Sequence, residues 1–233
     1  MTTSSMESTA SGQATCRCRT TSAPPTNMID TEVTTYLATP KVSLPHSVVD
    51  DWELSWQTGA HVHTQLAHRI TFPIWGYVRS RRPLMVVGRV VDPDRSPKYW
   101  NTPGARKSQF LYGLWRWRTG SIPIIVEGYT DCWALALLGL SPLAIMGSTM
   151  SRWQAAHVAS LSKHAILLPD SDARADSWAD RLAKFGVRTT TPAGLYPVGS
   201  LLKADPHWLW VNARAHLVTK IEESVEWLTP RMV

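Results

Sequence analysis

Four carboxylates stand in two short clusters, Glu127 with Asp131 and Asp170 with Asp172. Each cluster follows an apolar run. Ile122-Pro123-Ile124-Ile125-Val126 leads directly into Glu127, and Ala165-Ile166-Leu167-Leu168 leads towards Asp170. Short β-branched runs of this kind read as buried strands. Residues 132–138 between them read as a buried helix, closed by Gly139. Strand, helix and strand make a parallel sheet, and parallel αβ folds collect their chemistry beyond the carboxyl ends of the strands. The spacing therefore predicts that Glu127, Asp170 and Asp172 converge on one sheet edge. Three carboxylates there repel one another unless a hard cation neutralises them. An oxygen-only donor set suits Mg²⁺ or Mn²⁺.

The elements upstream carry a different charge. Residues 66–118 hold eleven Lys and Arg against Asp92 and Asp94, in a chain of net charge +6. Clustered Lys and Arg displace counterions from phosphates, so this segment has the footprint of a polyanion site. Its pattern predicts a strand over 68–74, a basic turn over 77–82 and a second strand over 84–91. Residues 97–103 should be extended, because prolines at 97 and 103 disfavour helix in the residue before them. Phe72, Ile74, Val86 and Val90 read as core. Earlier still, residues 31–37 predict a short helix with Asp30 as N-cap. Residues 45–52 predict another. Late in the chain, 176–185 carry an apolar stripe ended by Gly186, and 187–191 read as a further strand.

Composition bounds the class. The chain has 233 residues and is 44% hydrophobic, enough for one large domain or two small ones. No stretch approaches the ~20 apolar residues of a membrane span. Three cysteines, Cys16, Cys18 and Cys132, make no disulfide framework and point to a reducing cytoplasm. The expected organisation is a disordered Thr/Ser-rich tail over 1–29, a basic subdomain over 30–118, an α/β domain over 119–210 and a C-terminal helix over 211–233.

Motif by motif, the chain resembles a known family. Val126-Glu127-Gly128-Tyr129-Thr130-Asp131, then Gly147-Ser148-Thr149, then Asp170-Ser171-Asp172 resembles the Toprim domain, with its Glu after one strand and Asp-x-Asp after a later one. Upstream, Arg69 to Ile74, Gly88-Arg89, Pro97-Lys98-Tyr99-Trp100-Asn101 and Leu111-Tyr112-Gly113-Leu114 follow in the order seen in DnaG-type bacterial and phage primase cores. The resemblance covers roughly residues 30–210. It implies an α/β fold: an α+β N-terminal subdomain, then a Toprim domain with a central, mainly parallel sheet. The implied activity is Mg²⁺- or Mn²⁺-dependent synthesis of short RNA primers on single-stranded DNA from ribonucleoside triphosphates. Glu127, Asp170 and Asp172 would be catalytic, and Glu127, Asp131, Asp170, Asp172 and Asp205 would surround the metal. Arg69, Arg89, Lys98, Tyr99, Asn101 and Lys107 would hold the template, the RNA–DNA hybrid and the nucleotide, since Arg offers a forked phosphate donor and Lys a point charge.

The chain departs from the family at several points. No Lys follows Phe110 directly, and Lys107 lies upstream. Ser171 replaces a Gly, and Asp205-Pro206-His207 keeps one acid of a later pair. The family's zinc-binding and helicase-binding regions have no counterpart in the sequence, which leads to the expectation of a replicative helicase or a separate zinc-bearing subunit acting in trans. A non-catalytic nucleic-acid-binding protein and a Toprim nuclease are the alternative readings.

Overall fold

In the computed structural model, residues 26–39, 44–57, 64–92, 94–170 and 172–191 are described. The tail before residue 26, Asp205 and the helix expected over 211–233 lie outside these residues.

Two four-stranded sheets organise the described chain. The first follows two helices, α1 (Thr26–Ala38) and α2 (Ser47–Trp52). The helix expected to start at Asp30 begins at Thr26, so Asp30 is not its N-cap. The strands are β1 (Ser55–Gln57), β2 (Arg69–Ile74), β3 (Met85–Val90) and β4 (Tyr99–Asn101). They run antiparallel in chain order. All six positions of β2 are buried, so both of its faces are covered and the strand shows no polar alternation. Proline is unusual inside such a strand. Pro73 is tolerated because its partner Val86 directs its backbone the other way. The Val86 N–H donates to Thr102 Oγ1 at 3.0 Å and its carbonyl accepts from the Thr102 N–H at 3.0 Å.

The second sheet is parallel, in the order β6, β5, β7, β8. Its strands are β5 (Ile124–Val126), β6 (Pro142–Ala144), β7 (His164–Leu168) and β8 (Arg188–Thr190). The connecting helices are α3 (Tyr129–Leu137), α4 (Arg152–Leu161) and α5 (Asp172–Ala183). From β5 the chain steps to β6 on one side, crosses back to β7 on the other, and continues outward to β8. The strand order therefore reverses at β5 and β7, and the crevice beyond their carboxyl ends is where ligands of open parallel sheets bind.

Aromatic rings close the gap between the sheets. Phe72 of β2 meets Tyr112 at 5.6 Å, Tyr129 at 4.7 Å and Trp133 at 5.4 Å between ring centroids. Trp52 stacks on Tyr112 at 4.9 Å, and the Trp133 indole N–H donates to the Tyr112 hydroxyl at 2.6 Å. One continuous core holds Ile70 and Val87 of the first sheet together with Ile124 and Val126 of the second. Tyr112 also forms a β-bridge to Ala144. The turn after it needs glycine: Gly113 has φ of 88°, and a Cβ there would lie 2.7 Å from the Pro142 carbonyl oxygen. That accounts physically for the glycine of the Leu-Tyr-Gly-Leu motif.

Candidate active site at the carboxyl edge of the parallel sheet

Glu127 follows β5 directly, and Asp170 stands two residues beyond β7. The two strands are neighbours, with Val126 opposite Leu168, so the fold brings these acids to the point where strand order reverses. Glu127 is 9% exposed. A buried carboxylate needs partners, and Glu127 has two. Its Oε1 accepts the backbone N–H of Asp170 at 2.9 Å and the Arg174 guanidinium at 2.5 Å. Asp170 itself is exposed.

Arg174 is a further member of the site. It lies in the first turn of α5, where the helix dipole disfavours a cation. Glu127 compensates, and its hydrogen bond and charge raise the Arg174 pKa above the ordinary arginine value. No local pattern announces the pair, because its members are 47 positions apart.

Asp131 lies in the first turn of α3. Its Oδ2 accepts the Gly128 N–H at 3.2 Å and caps the start of α3. Gly128 makes room for this cap, since a Cβ would lie 2.8 Å from that oxygen. Asp131, expected near the metal, caps the first turn of α3 through this oxygen. Among the described residues, no three His, Cys, Asp or Glu side chains gather closely enough to hold a metal ion. Asp172 opens α5, but its side chain is outside the described set, as is Asp205. The donor chemistry of Glu127 and Asp170 nevertheless fits a hard divalent cation: both present carboxylate oxygens on adjacent strand ends.

Among the basic residues, Arg69 lies inside the first sheet. It is 1% exposed, and its guanidinium donates to the carbonyls of Gln65 at 2.9 Å and Pro97 at 2.8 Å, with Gly88 and Lys98 at 3.5 Å. It braces the first sheet from inside through Nε and Nη1. Arg89 lies on β3, with its guanidinium between the rings of Tyr36 at 5.2 Å and Tyr99 at 4.8 Å. It donates to the Tyr99 hydroxyl, while its Nε has no hydrogen-bond partner. Tyr99 lies 5.2 Å from Tyr129, the first residue of α3, so the Arg89 end of the first sheet faces the carboxylate edge of the second. Burial raises the Tyr99 pKa, so its hydroxyl stays a neutral hydrogen-bonding group. Lys98 is exposed, with its ammonium 5.9 Å from the Tyr99 ring centroid. Asn101 is half-buried and its Oδ1 lacks a hydrogen-bond partner.

Lys107 does something its sequence position did not announce. Its Nζ donates to the Met146 carbonyl at 2.9 Å, just ahead of Gly147-Ser148-Thr149. Met146 has a φ of 62°, a conformation that non-glycine residues rarely adopt. Trp178 of α5 donates its indole N–H to the Ser148 carbonyl at 3.1 Å. Lys107 and Trp178 thus hold the segment beyond β6 from two sides.

An antiparallel sheet joined by one core to a parallel sheet, with acids at the switch point, is the α/β fold of DnaG-type primase catalytic cores. It matches the Aquifex aeolicus primase, zinc-binding and RNA polymerase domains, with a TM-score of 0.65 and 22% identity over 83% of this chain and 56% of that one. It matches a DnaG primase catalytic domain bound to ssDNA with a TM-score of 0.60 and 20% identity, covering 82% of this chain and 75% of that one. In sequence, the chain is similar to the DNA primase of Legionella pneumophila, 36% identical over 120 residues, 48% of this chain and 20% of that protein. The DNA primase of Clostridium acetobutylicum is 31% identical over 123 residues, 50% of this chain and 20% of that protein. The chain thus spans about one fifth of the length of these two relatives. No family model matches.

Proposed function

We propose that this protein is a primase-type nucleotidyltransferase, a Toprim enzyme that makes short RNA primers on single-stranded DNA from ribonucleoside triphosphates. The observation that carries the reading is the placement of Glu127 and Asp170 on adjacent strand ends at the switch point, 2.9 Å apart from Oε1 to backbone N. Sequence similarity to two DNA primases supports it.

Phosphoryl transfer asks a protein mainly for positioning and for neutralisation of developing charge. Bound Mg²⁺ or Mn²⁺ would supply the Lewis acid for the nucleotide phosphates, held by Glu127 and Asp170, with Asp172 as a further ligand. The chain's own residues supply the rest. The Asp170 N–H and Arg174 fix the Glu127 carboxylate in one orientation. Glu127 so held serves either as a metal ligand or as the acceptor of the attacking 3′-hydroxyl proton. Arg89, Lys98 and Asn101 offer donors to the backbone of template and product, and Tyr99 orients Arg89. Lys107, with one of its protons given to Met146, offers the remainder to a triphosphate.

The test is a primer-synthesis assay on single-stranded DNA with ribonucleotides and Mg²⁺ or Mn²⁺. Glu127→Gln and Asp170→Asn are each expected to abolish product while DNA binding persists. Normal synthesis by both variants would refute the catalytic assignment.

A further inference from the structure

The turn that joins β2 to β3 projects a surface that the proposed site does not use. Residues 75–84 read Trp-Gly-Tyr-Val-Arg-Ser-Arg-Arg-Pro-Leu, with three arginines and no acid. Tyr77 is 51% exposed, Val78 77% and Leu84 46%. Among the described residues only Trp153 is a comparably exposed large hydrophobic, so the exposed apolar surface is concentrated on this turn. The Tyr77 ring is held in place. It lies 6.1 Å from the Trp117 ring, and its hydroxyl pairs with Thr119 Oγ1 at 3.1 Å. Arg79 is occupied, paired with Glu53 and placed 4.8 Å over Trp75. Arg81 and Arg82 are exposed, and among the described residues neither guanidinium has an ion-pair partner.

The turn lies far from the acids. Trp117 is flanked by Arg116 and Arg118, which line a recess of about 160 Å³ with Trp52, Ala136, Leu140 and Pro142. Pro142 is the first residue of β6, so this recess lies at the amino edge of the parallel sheet, opposite Glu127. The other end of the same hairpin carries Arg89 and Tyr99, which face α3. A six-residue strand separates the two ends by about 20 Å.

We infer that the 75–84 turn, with Trp117 and Arg118, is a second contact for single-stranded nucleic acid, gripping the template at a distance from the acids. Exposed rings stack on base faces, while unpaired arginines meet the phosphates between them. A duplex hides its base faces, so Tyr77, Val78 and Leu84 would gain little from one. Arg81 and Arg82 belong to the basic run of residues 66–118, whose charge favours a polyanion over an uncharged protein face. About 20 Å corresponds to roughly six stacked nucleotides at ~3.4 Å each, so one strand can reach both ends of the hairpin. The choice of ligand rests on the primase reading.

The experiment measures binding of a labelled oligodeoxythymidylate of about 20 nucleotides, longer than the ~4–16 typical of one single-strand module, by anisotropy without nucleotide or metal. Tyr77→Ala is expected to weaken binding roughly tenfold, and Tyr77→Phe, which keeps the ring, to bind like the wild type. The double variant Arg81→Ala with Arg82→Ala is expected to lower the slope of log K against log salt by about 1.4, at ~0.7 for each phosphate contact on a single strand. Binding of a duplex of the same length should change less in all variants. Wild-type affinity and slope in both the Tyr77→Ala and the double variant would overturn the inference. So would an equal loss for duplex and single strand, which marks a general phosphate surface. Unchanged DNA binding with loss of a protein partner's association would also overturn it, in favour of a protein surface. The result is separable from the proposed function. If strand binding follows expectation while Glu127→Gln leaves synthesis intact, the catalytic reading fails and this contact stands.

Discussion

Arg69 and Arg89 sit on adjacent strands and have opposite surroundings. The Arg69 guanidinium is enclosed by backbone carbonyls, and Arg89 lies half-buried between two tyrosine rings with its Nε unpaired. Removing the Arg69 head takes the donor from the carbonyls of Gln65, Pro97 and the buried Gly88 and empties a buried site. Arg69→Met is therefore expected to cost about 2–4 kcal/mol in urea unfolding, with no change in the salt slope of single-stranded DNA binding. Arg89→Ala is expected to lower that slope by about 0.7. If Arg69→Met flattens the slope instead, Arg69 is a phosphate ligand after all. Arg174 sets a second expectation at this scale. Its side chain is 40% exposed, so its pair with Glu127 is worth less than a buried one. It nevertheless competes with any cation for the same oxygen. Arg174→Ala should bind Mn²⁺ about two- to fivefold more tightly, read by electron paramagnetic resonance without nucleotide. Unchanged or weaker binding would show that Arg174 does not compete for this carboxylate.

Helix α4 shows how an element can be built against its own hydrophobic pattern. Its Trp153 is 62% exposed, while Gln154 is fully buried. The helix opens with a capping box, Ser151 accepting the Gln154 N–H and the Gln154 side chain accepting the Ser151 N–H. The Gln154 amide then donates to the carbonyls of Ile145 at 2.8 Å and Phe110 at 2.9 Å. One side chain thus ties the segment around Lys107 to the end of β6 and to α4. Ser151 Oγ adds a bond to the Ser108 carbonyl. Gln154→Leu keeps much of the volume but leaves two carbonyls and the Ser151 N–H without this partner. It should lower stability by about 2–4 kcal/mol, seen as a fall of several degrees in Tm. A Tm within a degree of wild type would show that the clasp contributes little.

At the scale of the molecule, the two sheets do not divide the hydrophobic core between them. Trp52, Phe72, Tyr112, Tyr129 and Trp133 pack as one aromatic cluster across the junction. A second core joins Ile125, Leu167 and Trp178 of the parallel sheet and its helices to Leu111 and Leu114. Pulling the sheets apart would expose the shared cluster, so the described halves should unfold together. Far-ultraviolet circular dichroism and tryptophan fluorescence are expected to give coincident urea transitions. Two separated transitions would show that the halves are independent. Among the described residues, no helix is long and apolar enough to cross a membrane.

What the sequence determined by itself is local. The apolar runs before Glu127 and Asp170 specify buried strands, because a short β-branched run bounded by polar residues has few other ways to hide. With a helix between them, they also specify the sheet edge on which the acids meet. The antiparallel strands around Phe72 and Val87 were legible for the same reason. Helix α4 and strand β6 were not. The helix buries a glutamine and exposes a tryptophan, and the strand is three residues long and begins with Pro142. Its Ser-x-x-Gln capping box was the available signal. The tertiary structure alone decided the roles of individual charged groups. A row of arginines in a sequence has one common charge, yet Arg69 is buried, Arg79 is paired, and Arg81 and Arg82 face outward. The partners of Glu127 are 43 and 47 positions away, and that of Lys107 is 39 away. A charge takes its role from whatever the fold places within about 3 Å of it, and at those separations no local pattern encodes the neighbour.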